Sequence, residues 1–264
     1  MANAPREGNT VWLVTGASNG LGAAFLPPLL SRPATTVIAL HRAASAVADF
    51  SASSIHPTSA IYTHHYDAKD TEQDVSRLAE DLRTEHGIER VHVVLASAGM
   101  VDGMKPALST GWDEVQKHMN VNFGGPLKLV QGLKGLLGLD TTTRSPTVNG
   151  PKFILISSSV GSLGTPEPVP GCLAYGSSKA AANYLITRLH LELAAQDFTA
   201  VAVHPGWVRT RMGWHAADQW GASRDIVPLS PEESATAVLK VVDEATREKS
   251  GGKFLSYDGS EMAW

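Results

Sequence analysis

The chain has 264 residues, 26 acidic and 22 basic side chains, a net charge of −4 and 43 % hydrophobic residues. That length and apolar content suffice for one large α/β domain, expected over residues 1–264, while the acidic balance and lack of a basic run exclude a general attraction to nucleic acid. One cysteine, Cys172, excludes an internal disulfide, and no run approaches the roughly eighteen apolar residues of a membrane span.

The first eight residues lack the apolar core of a signal peptide, so the expected location is cytoplasmic. Thr10-Val11-Trp12-Leu13-Val14 is a short β-prone run leading into Thr15-Gly16-Ala17-Ser18-Asn19-Gly20-Leu21-Gly22 and then an apolar segment of helical length over 21–30. Strand, glycine turn and helix in this order suit a dinucleotide. Gly16, Gly20 and Gly22 allow a tight turn, close approach of the backbone to a pyrophosphate and close helix packing, and the helix N-terminus attracts the anion. The spacing TGxxxGxG differs from GxGxxG, and Pro27-Pro28 predicts a kink or early end of the helix.

Short apolar runs at 11–15, 36–41, 61–66, 91–96, 153–158, 199–204 and 253–256 read as strands, with helices in the intervals, as in right-handed βαβ units on a parallel sheet. Residues 141–152, polar with Pro146, Gly150 and Pro151, read as a surface loop. Two helical segments are rich in apolar side chains: Leu127, Leu129 and Val130 on one, and Tyr184, Leu185, Ile186, Leu189 and Leu193 on the other. They fit either a core or a contact between copies. The ten histidines are scattered, and His64-His65 lacks the spacing and companions of a ligand set, so no metal is expected.

Tyr175 and Lys179 lie four residues apart in Ala-Tyr-Gly-Ser-Ser-Lys-Ala, which puts a phenol and an ammonium on one helix face. A free tyrosine, with a pKa of about 10, is a poor base at neutral pH. A neighbouring cation favours the phenolate, and reaching neutrality needs roughly 4 kcal/mol of differential stabilisation. So tuned, a tyrosine can protonate a ketone or deprotonate an alcohol. Alone, the pair is also compatible with an ordinary exposed helix.

With TGASNGLG and YGSSK in this order and separation, the chain resembles the short-chain dehydrogenase/reductase family. Ile156-Ser157-Ser158-Ser159-Val160-Gly161 resembles the strand end with the catalytic serine, and Asn120-Val121-Asn122-Phe123-Gly124-Gly125-Pro126 the helix with a fourth catalytic residue. His204-Pro205-Gly206-Trp207-Val208-Arg209-Thr210 resembles the segment that receives the nicotinamide. The resemblance covers almost the whole chain. It implies a Rossmann-like, doubly wound α/β fold of about seven parallel strands, helices on both faces, and a cofactor beyond the strands' carboxyl ends.

The resemblance implies roles residue by residue. Tyr175 is the expected general acid, Lys179 its pKa-lowering partner and a ribose contact, Ser158 the hydrogen-bond donor to the substrate oxygen, and Asn122 a holder of the water that resupplies the proton. Ser158 is preferred because Gly161 then falls at the family position, although Ser157 and Ser159 are chemically equivalent. Expected cofactor contacts are Gly16, Ser18, Asn19, Gly20, Leu21, Gly22, Ala98, Gly99, Tyr175, Lys179, Pro205, Gly206, Val208 and Thr210. After the second strand an acidic residue would accept from the ribose of NAD, whereas this chain has His41 and Arg42, which suit the 2′-phosphate of NADP(H). Asp67 resembles the aspartate at the adenine edge, and an N-cap role for the next helix is its rival.

Two departures stand out. Ser158 and Tyr175 are 17 residues apart, about four more than the family's commonest spacing, and the added loop Thr165-Pro166-Glu167-Pro168-Val169-Pro170-Gly171 is stiffened by three prolines at the expected substrate mouth. Leu95-Ala96-Ser97-Ala98-Gly99 has Ser97 where the family shows asparagine, which loses one hydrogen-bonding group. Cys172 either packs in the loop before Tyr175 or faces substrate. Residues 207–228, with Met212, Trp214, Trp220 and Ile226, read as a substrate lid for a bulky, flat or hydrophobic ketone, or as a segment anchored by its tryptophans.

HPGWVRT, the prolyl loop and the segment Tyr257-Asp258-Gly259-Ser260-Glu261-Met262-Ala263-Trp264 resemble fungal ketoreductases of the norsolorinic acid ketoreductase-like subgroup. The expectation is an NADPH-dependent reductase of a secondary-metabolite or polyketide carbonyl, acting as a homodimer or homotetramer. The same residues serve alcohol oxidation with NADP, and the fold can also serve a non-redox role such as cyclisation.

Overall fold

Side chains along a strand point alternately to its two faces, and this chain has apolar residues in both registers. The computed structural model describes residues 8–42, 54–140 and 150–264. Seven strands, β1 (Thr10–Thr15), β2 (Thr35–His41), β3 (Ala60–His65), β4 (Val93–Ala96), β5 (Lys152–Ile156), β6 (Thr199–His204) and β7 (Phe254–Ser256), form one sheet in the order β3-β2-β1-β4-β5-β6-β7. Every pairing is parallel. Leu13, Ile38, Leu40, Phe153, Leu155 and Ala202 enter one core, and Trp12, Val14, Val37, Ala39, Ile154 and Val203 enter the other. Full burial of a Leu, Ile or Phe side chain contributes about 1.5–3 kcal/mol, so both layers hold the sheet.

The first core is covered by α3 (Glu72–His86), α5 (Gly124–Gly132) and α6 (Leu173–Glu192), the second by α1 (Gly20–Ala24), α2 (Leu26–Leu30) and α8 (Pro231–Glu244). The remaining helices are α4 (Trp112–His118), α7 (Arg211–Gln219) and α9 (Arg247–Ser250), with a π-helical turn, Met119–Phe123, joining α4 to α5. The doubly wound expectation therefore holds. Pro27 and Pro28 break the first helix as expected: α1 stops at Ala24, and both prolines sit in the first turn of α2, where amide protons have no intrahelical acceptor.

Strand boundaries differ from the sequence reading by one or two residues: β1 and β2 each begin one residue earlier, β3 spans Ala60–His65 and β7 begins at Phe254. β4 begins at Val93, and β5 ends at Ile156, which leaves Ser157 and Ser158 beyond the strand. Asp67 does not cap α3. That helix is capped by Thr71, whose hydroxyl accepts from Asp74 N–H while the Asp74 carboxylate accepts from Thr71 N–H; Asp67 instead accepts from Lys69 N–H in the preceding turn. Of the expected loop over 141–152, residues 141–149 lie outside the described residues, and Lys152 opens β5.

The apolar helix faces turn mostly inward: Leu129, Val130 and Ile186 join the first core, Leu185 is buried, and Leu189 and Leu193 pack against that core. Tyr184 and Leu191 stay exposed on α6. Among the described residues no helix is long and apolar enough to cross a membrane.

Candidate active site

The carboxyl ends of β1, β4, β5 and β6 bring the singled-out residues together. In the glycine turn, Gly16 and Gly20 have positive φ values of +70° and +54°. A Cβ on Gly16 would lie 3.1 Å from Ala98 Cα, one on Gly20 3.4 Å from Thr210 Cγ2, and one on Gly22 2.2 Å from Gly16 O. The turn is thus pressed between the end of β4 and the segment after β6. Ala17 N–H donates to Leu40 O, Asn19 Nδ2 donates to Ser18 Oγ, and Asn19 caps α1 without a side-chain hydrogen bond. A bare-amide helix start behind a close-approach glycine turn fits the pyrophosphate of a dinucleotide. Leu21 is half-buried against the second core.

Ser97 replaces an asparagine, yet β1 and β4 remain tied: Ala98 N–H donates to the buried Thr15 hydroxyl at 2.9 Å. Gly99 then passes beside Asn122 and Lys179, since a Cβ there would lie 3.3 Å from Asn122 Oδ1 and 3.6 Å from Lys179 Nζ. Gly206 bends at φ +80° where a Cβ would strike Leu229 and Tyr257, and Pro205 O accepts from Ser234 of α8. Val208 bridges Leu229, and Thr210 caps α7 by accepting from Gly213 N–H. At the far end, His41 Nδ1 lies 3.0 Å from Arg42 O, and Arg42 is exposed just past β2.

Tyr175 and Lys179 occupy the first turns of α6, both buried, with the Lys179 ammonium 5.7 Å from the Tyr175 ring centre. Lys179 Nζ donates to Ile156 O at 2.8 Å, which ties α6 to the end of β5. A Cβ on Gly161 would stand 2.7 Å from Lys179 Cβ, so only glycine lets the turn after Ser158 lie this close to α6. The three serines separate by partner. Ser157 donates to Asn183 Oδ1 at 2.5 Å inside the protein, whereas the Ser158 hydroxyl accepts from Val160 N–H and lies close enough to Tyr175 to favour its phenolate. Ser159 contributes its N–H to His204 Nδ1.

The electrostatics depart from the expected tuning. Burial pushes the Tyr175 phenol up to about 12, opposed in part by the Ser158 hydrogen bond, and burial pulls the Lys179 ammonium down to about 8. Desolvation disfavours the charged form of each, and the lysine's proton is directed at Ile156 O rather than at the phenol. Burial accordingly favours the protonated phenol at neutral pH.

Asn122 sits in the π-helical turn, where both of its amide protons are taken: Nδ2 donates to Met100 O and Ser178 Oγ, and Oδ1 accepts from Met100 N–H. It fastens the segment after β4 to α6. Asp67 stays at the turn after β3.

His118 escaped the sequence reading, and His204 reads there only as the start of the segment after β6. His118, fully buried, presents its ring to Tyr175 with centroids 6.4 Å apart; its Nε2 accepts from Asp102 N–H and its Nδ1 lies 2.8 Å from Glu114 O. His204 accepts from Ser159 N–H and is held neutral by burial, its pKa lowered to about 4, and so fixes the turn after Ser158. His118 lies 57 positions before Tyr175, with no local pattern to connect them.

Cys172 packs. It is buried with Met104 and Ala216, beside Val101, Val160, Val169 and Trp220. Within 207–228, Trp220 stacks edge-on against Trp207 at 5.5 Å, and Trp207 Nε1 donates to Gly213 O, whereas Met212, Trp214 and Ile226 are exposed. The tryptophans nearest the body therefore anchor the segment. The base of the prolyl loop is held by Trp264 O, which accepts from Leu163 and Gly164 N–H.

Comparison with known proteins identifies a family and a shared fold. The description "short chain dehydrogenase" applies to residues 10–220. Norsolorinic acid ketoreductase of Aspergillus parasiticus is 32 % identical over 259 residues, covering 97 % of this chain and 91 % of that protein. The short chain dehydrogenase gsfK of Penicillium aethiopicum is 36 % identical over 256 residues, covering 96 % and 98 %. Among solved structures, the NADPH-bound carbonyl reductase from chicken fatty liver superposes with a TM-score of 0.78 at 24 % identity, covering 97 % of this chain and 99 % of that one. With a family match over most of its length and relatives above 30 % identity along nearly all of it, the chain belongs to the short-chain dehydrogenase/reductase family of oxidoreductases.

Proposed function

We propose that this protein is an NADPH-dependent reductase of a ketone or aldehyde, with Tyr175 as proton donor. The observation that carries the reading is the Ser158–Tyr175 hydroxyl pair, set beside Lys179, Gly99 and the glycine turn. A bound nicotinamide supplies the hydride that the carbonyl carbon receives. Ser158 donates a hydrogen bond to the carbonyl oxygen, and Tyr175 delivers its proton there as negative charge develops. A phenol with a pKa of about 12 keeps that proton at neutral pH, which suits reduction; the reverse reaction needs the phenolate and gains as pH rises. Lys179 holds the cofactor ribose with ammonium protons other than the one given to Ile156 O. Asn122 positions the segment after β4 and, through it, the water that resupplies Tyr175.

Arg42 at the exit of β2 supports NADPH over NADH, as does the absence of an acidic residue there. Gly16, Ser18, Asn19, Gly20, Leu21 and Gly22 hold the pyrophosphate, Ala98 and Gly99 the nicotinamide ribose side, Asp67 the adenine edge, and Pro205, Gly206, Val208 and Thr210 the nicotinamide. Residues 207–228 act as the substrate lid of one catalytic domain spanning 1–264. The substrate is a bulky secondary-metabolite or polyketide carbonyl, supported by the relatives' names and by the apolar group of Met104, Val160, Val169 and Trp220 between lid and body. The assembly is an even homo-oligomer in the cytoplasm, with exposed Tyr184 and Leu191 on α6 as its contact.

Absorbance assays of NADPH and NADH consumption against aromatic and polycyclic ketones test the reading. Turnover with NADPH is expected, and tight NADPH binding without turnover of any carbonyl would favour the non-redox role.

A further inference from the structure

His64 lies on β3, the outermost strand of the sheet, and His86 is the last residue of α3, 22 positions later. The fold brings their Nε2 atoms to 2.8 Å, with the rings edge to face at 4.9 Å between centroids. Glu85 Oε2 stands 4.0 Å from His86 Nε2, and the three candidate ligand atoms all lie within 4.8 Å of one another. Among the described residues this is the one such group. The His86 ring is stacked on Tyr62, centroids 4.2 Å apart, which fixes its plane toward His64.

We propose that His64, Glu85 and His86 form a site for a divalent transition-metal ion of the zinc class, with the fourth position left to water. Two imidazoles plus one carboxylate is a donor set that zinc accepts, and two Nε2 atoms facing each other can share only one proton. An ion between them replaces that proton. Tetrahedral bonds of about 2.0–2.1 Å place two nitrogens roughly 3.3 Å apart, so the pair opens by about 0.5 Å. Glu85 has a side chain 62 % exposed and is free to swing inward from 4.0 Å by the roughly 0.7 Å or more that a tetrahedral separation needs. His86 closes α3, whose C-terminus carries partial negative charge that favours a cation. The site is remote from the Tyr175 chemistry in the sheet order, and its effect is to clip the edge strand to the helix beside it. His64-His65 shows no ligand set in the sequence, which predicts no metal, and His65 is exposed in the opposite register.

Zinc titration of the tag-free full chain by calorimetry in a non-chelating buffer, with Co2+ absorption as a second probe, decides the matter. One ion per chain is expected, with a tetrahedral Co2+ spectrum. His64→Gln and His86→Gln should each weaken zinc binding at least tenfold, Glu85→Gln should weaken it about threefold or more, and His65→Gln should leave it unchanged. Absence of stoichiometric zinc binding overturns the proposal, as does wild-type affinity in both histidine variants. Should a histidine variant fail to fold, the exposed position decides: wild-type affinity in Glu85→Gln overturns the ligand set.

Discussion

The proposed cofactor side and the proposed substrate side of the active site are built by different means. Around β1 and β4 the geometry is set by backbone: glycines at 16, 20, 22 and 99 where a Cβ has little or no room, and a threonine hydroxyl accepting from Ala98 N–H. Around α7 and the prolyl loop it is set by side chains from distant parts of the chain, with Met104, Cys172, Ala216 and Trp220 meeting in one small cluster. A backbone-built cradle leaves a local pattern in the sequence and admits few substitutions. A side-chain-built mouth leaves none and can change with its ligand.

Substitutions can break or sharpen this contrast. The largest effect is expected at Tyr175→Phe, which removes the proton but keeps the ring: turnover should fall by about 10²–10⁴-fold while NADPH affinity, read by fluorescence titration, stays within about threefold. Near-normal turnover would sink the proton-donor role. Lys179→Met should also lose most turnover, on the order of 10²-fold, yet unfold at a higher denaturant concentration at pH 7. The sign follows from burial. Between the ordinary 10.5 and about 8, at about 1.4 kcal/mol per pH unit, the charged group costs the fold about 3 kcal/mol, and losing the hydrogen bond to Ile156 O offsets part of that gain. The folded state binds fewer protons than the unfolded one between pH 8 and 10.5, so wild-type stability should rise over that window and the variant's advantage should shrink. A variant less stable than wild type at pH 7 would contradict the buried-charge account.

Arg42→Ala should weaken NADPH by about 10–100-fold and NADH by less than about threefold, as loss of a charge-assisted phosphate contact requires. Equal losses would refute phosphate binding. The smallest effect is expected on the substrate side: Trp220→Ala should raise KM on the order of 3–10-fold with kcat and NADPH affinity nearly unchanged. A matching fall in NADPH affinity would show that the two sides are not separable.

Much of this was legible in the sequence because it is local. Strands such as 199–204 have apolar residues in both registers, and the break at Pro27-Pro28 follows from the ring and the missing amide proton. The family resemblance favours Ser158 because Gly161 then falls at the family position, but what sets it apart from Ser157 in the structure is Asn183, 26 residues away from the latter. The Asp67 cap failed because Thr71 and Asp74 form a complete reciprocal cap closer to the helix. Burial opposes the expected lowering of Tyr175, because helical spacing gives adjacency but neither burial nor the direction of the ammonium, which the end of β5 captures. His118, His204 and the pairing of His64 with His86 depend on crossovers that no local period encodes.

The position of β1 also bears on how the chain reaches this state. β1 lies between β2 and β4, and Val11 N–H donates to His92 Nδ1 across 81 positions. As the chain emerges from the ribosome, β1 and β2 can pair at once, but the other edge of β1 stays open, with buried-type residues on both sides, until β4 arrives. Closing so long a loop makes folding slow and exposes a sticky edge to other nascent chains. Yield during synthesis should therefore depend on how fast residues 93–96 follow, and slowing elongation before them should favour aggregation over the native protein.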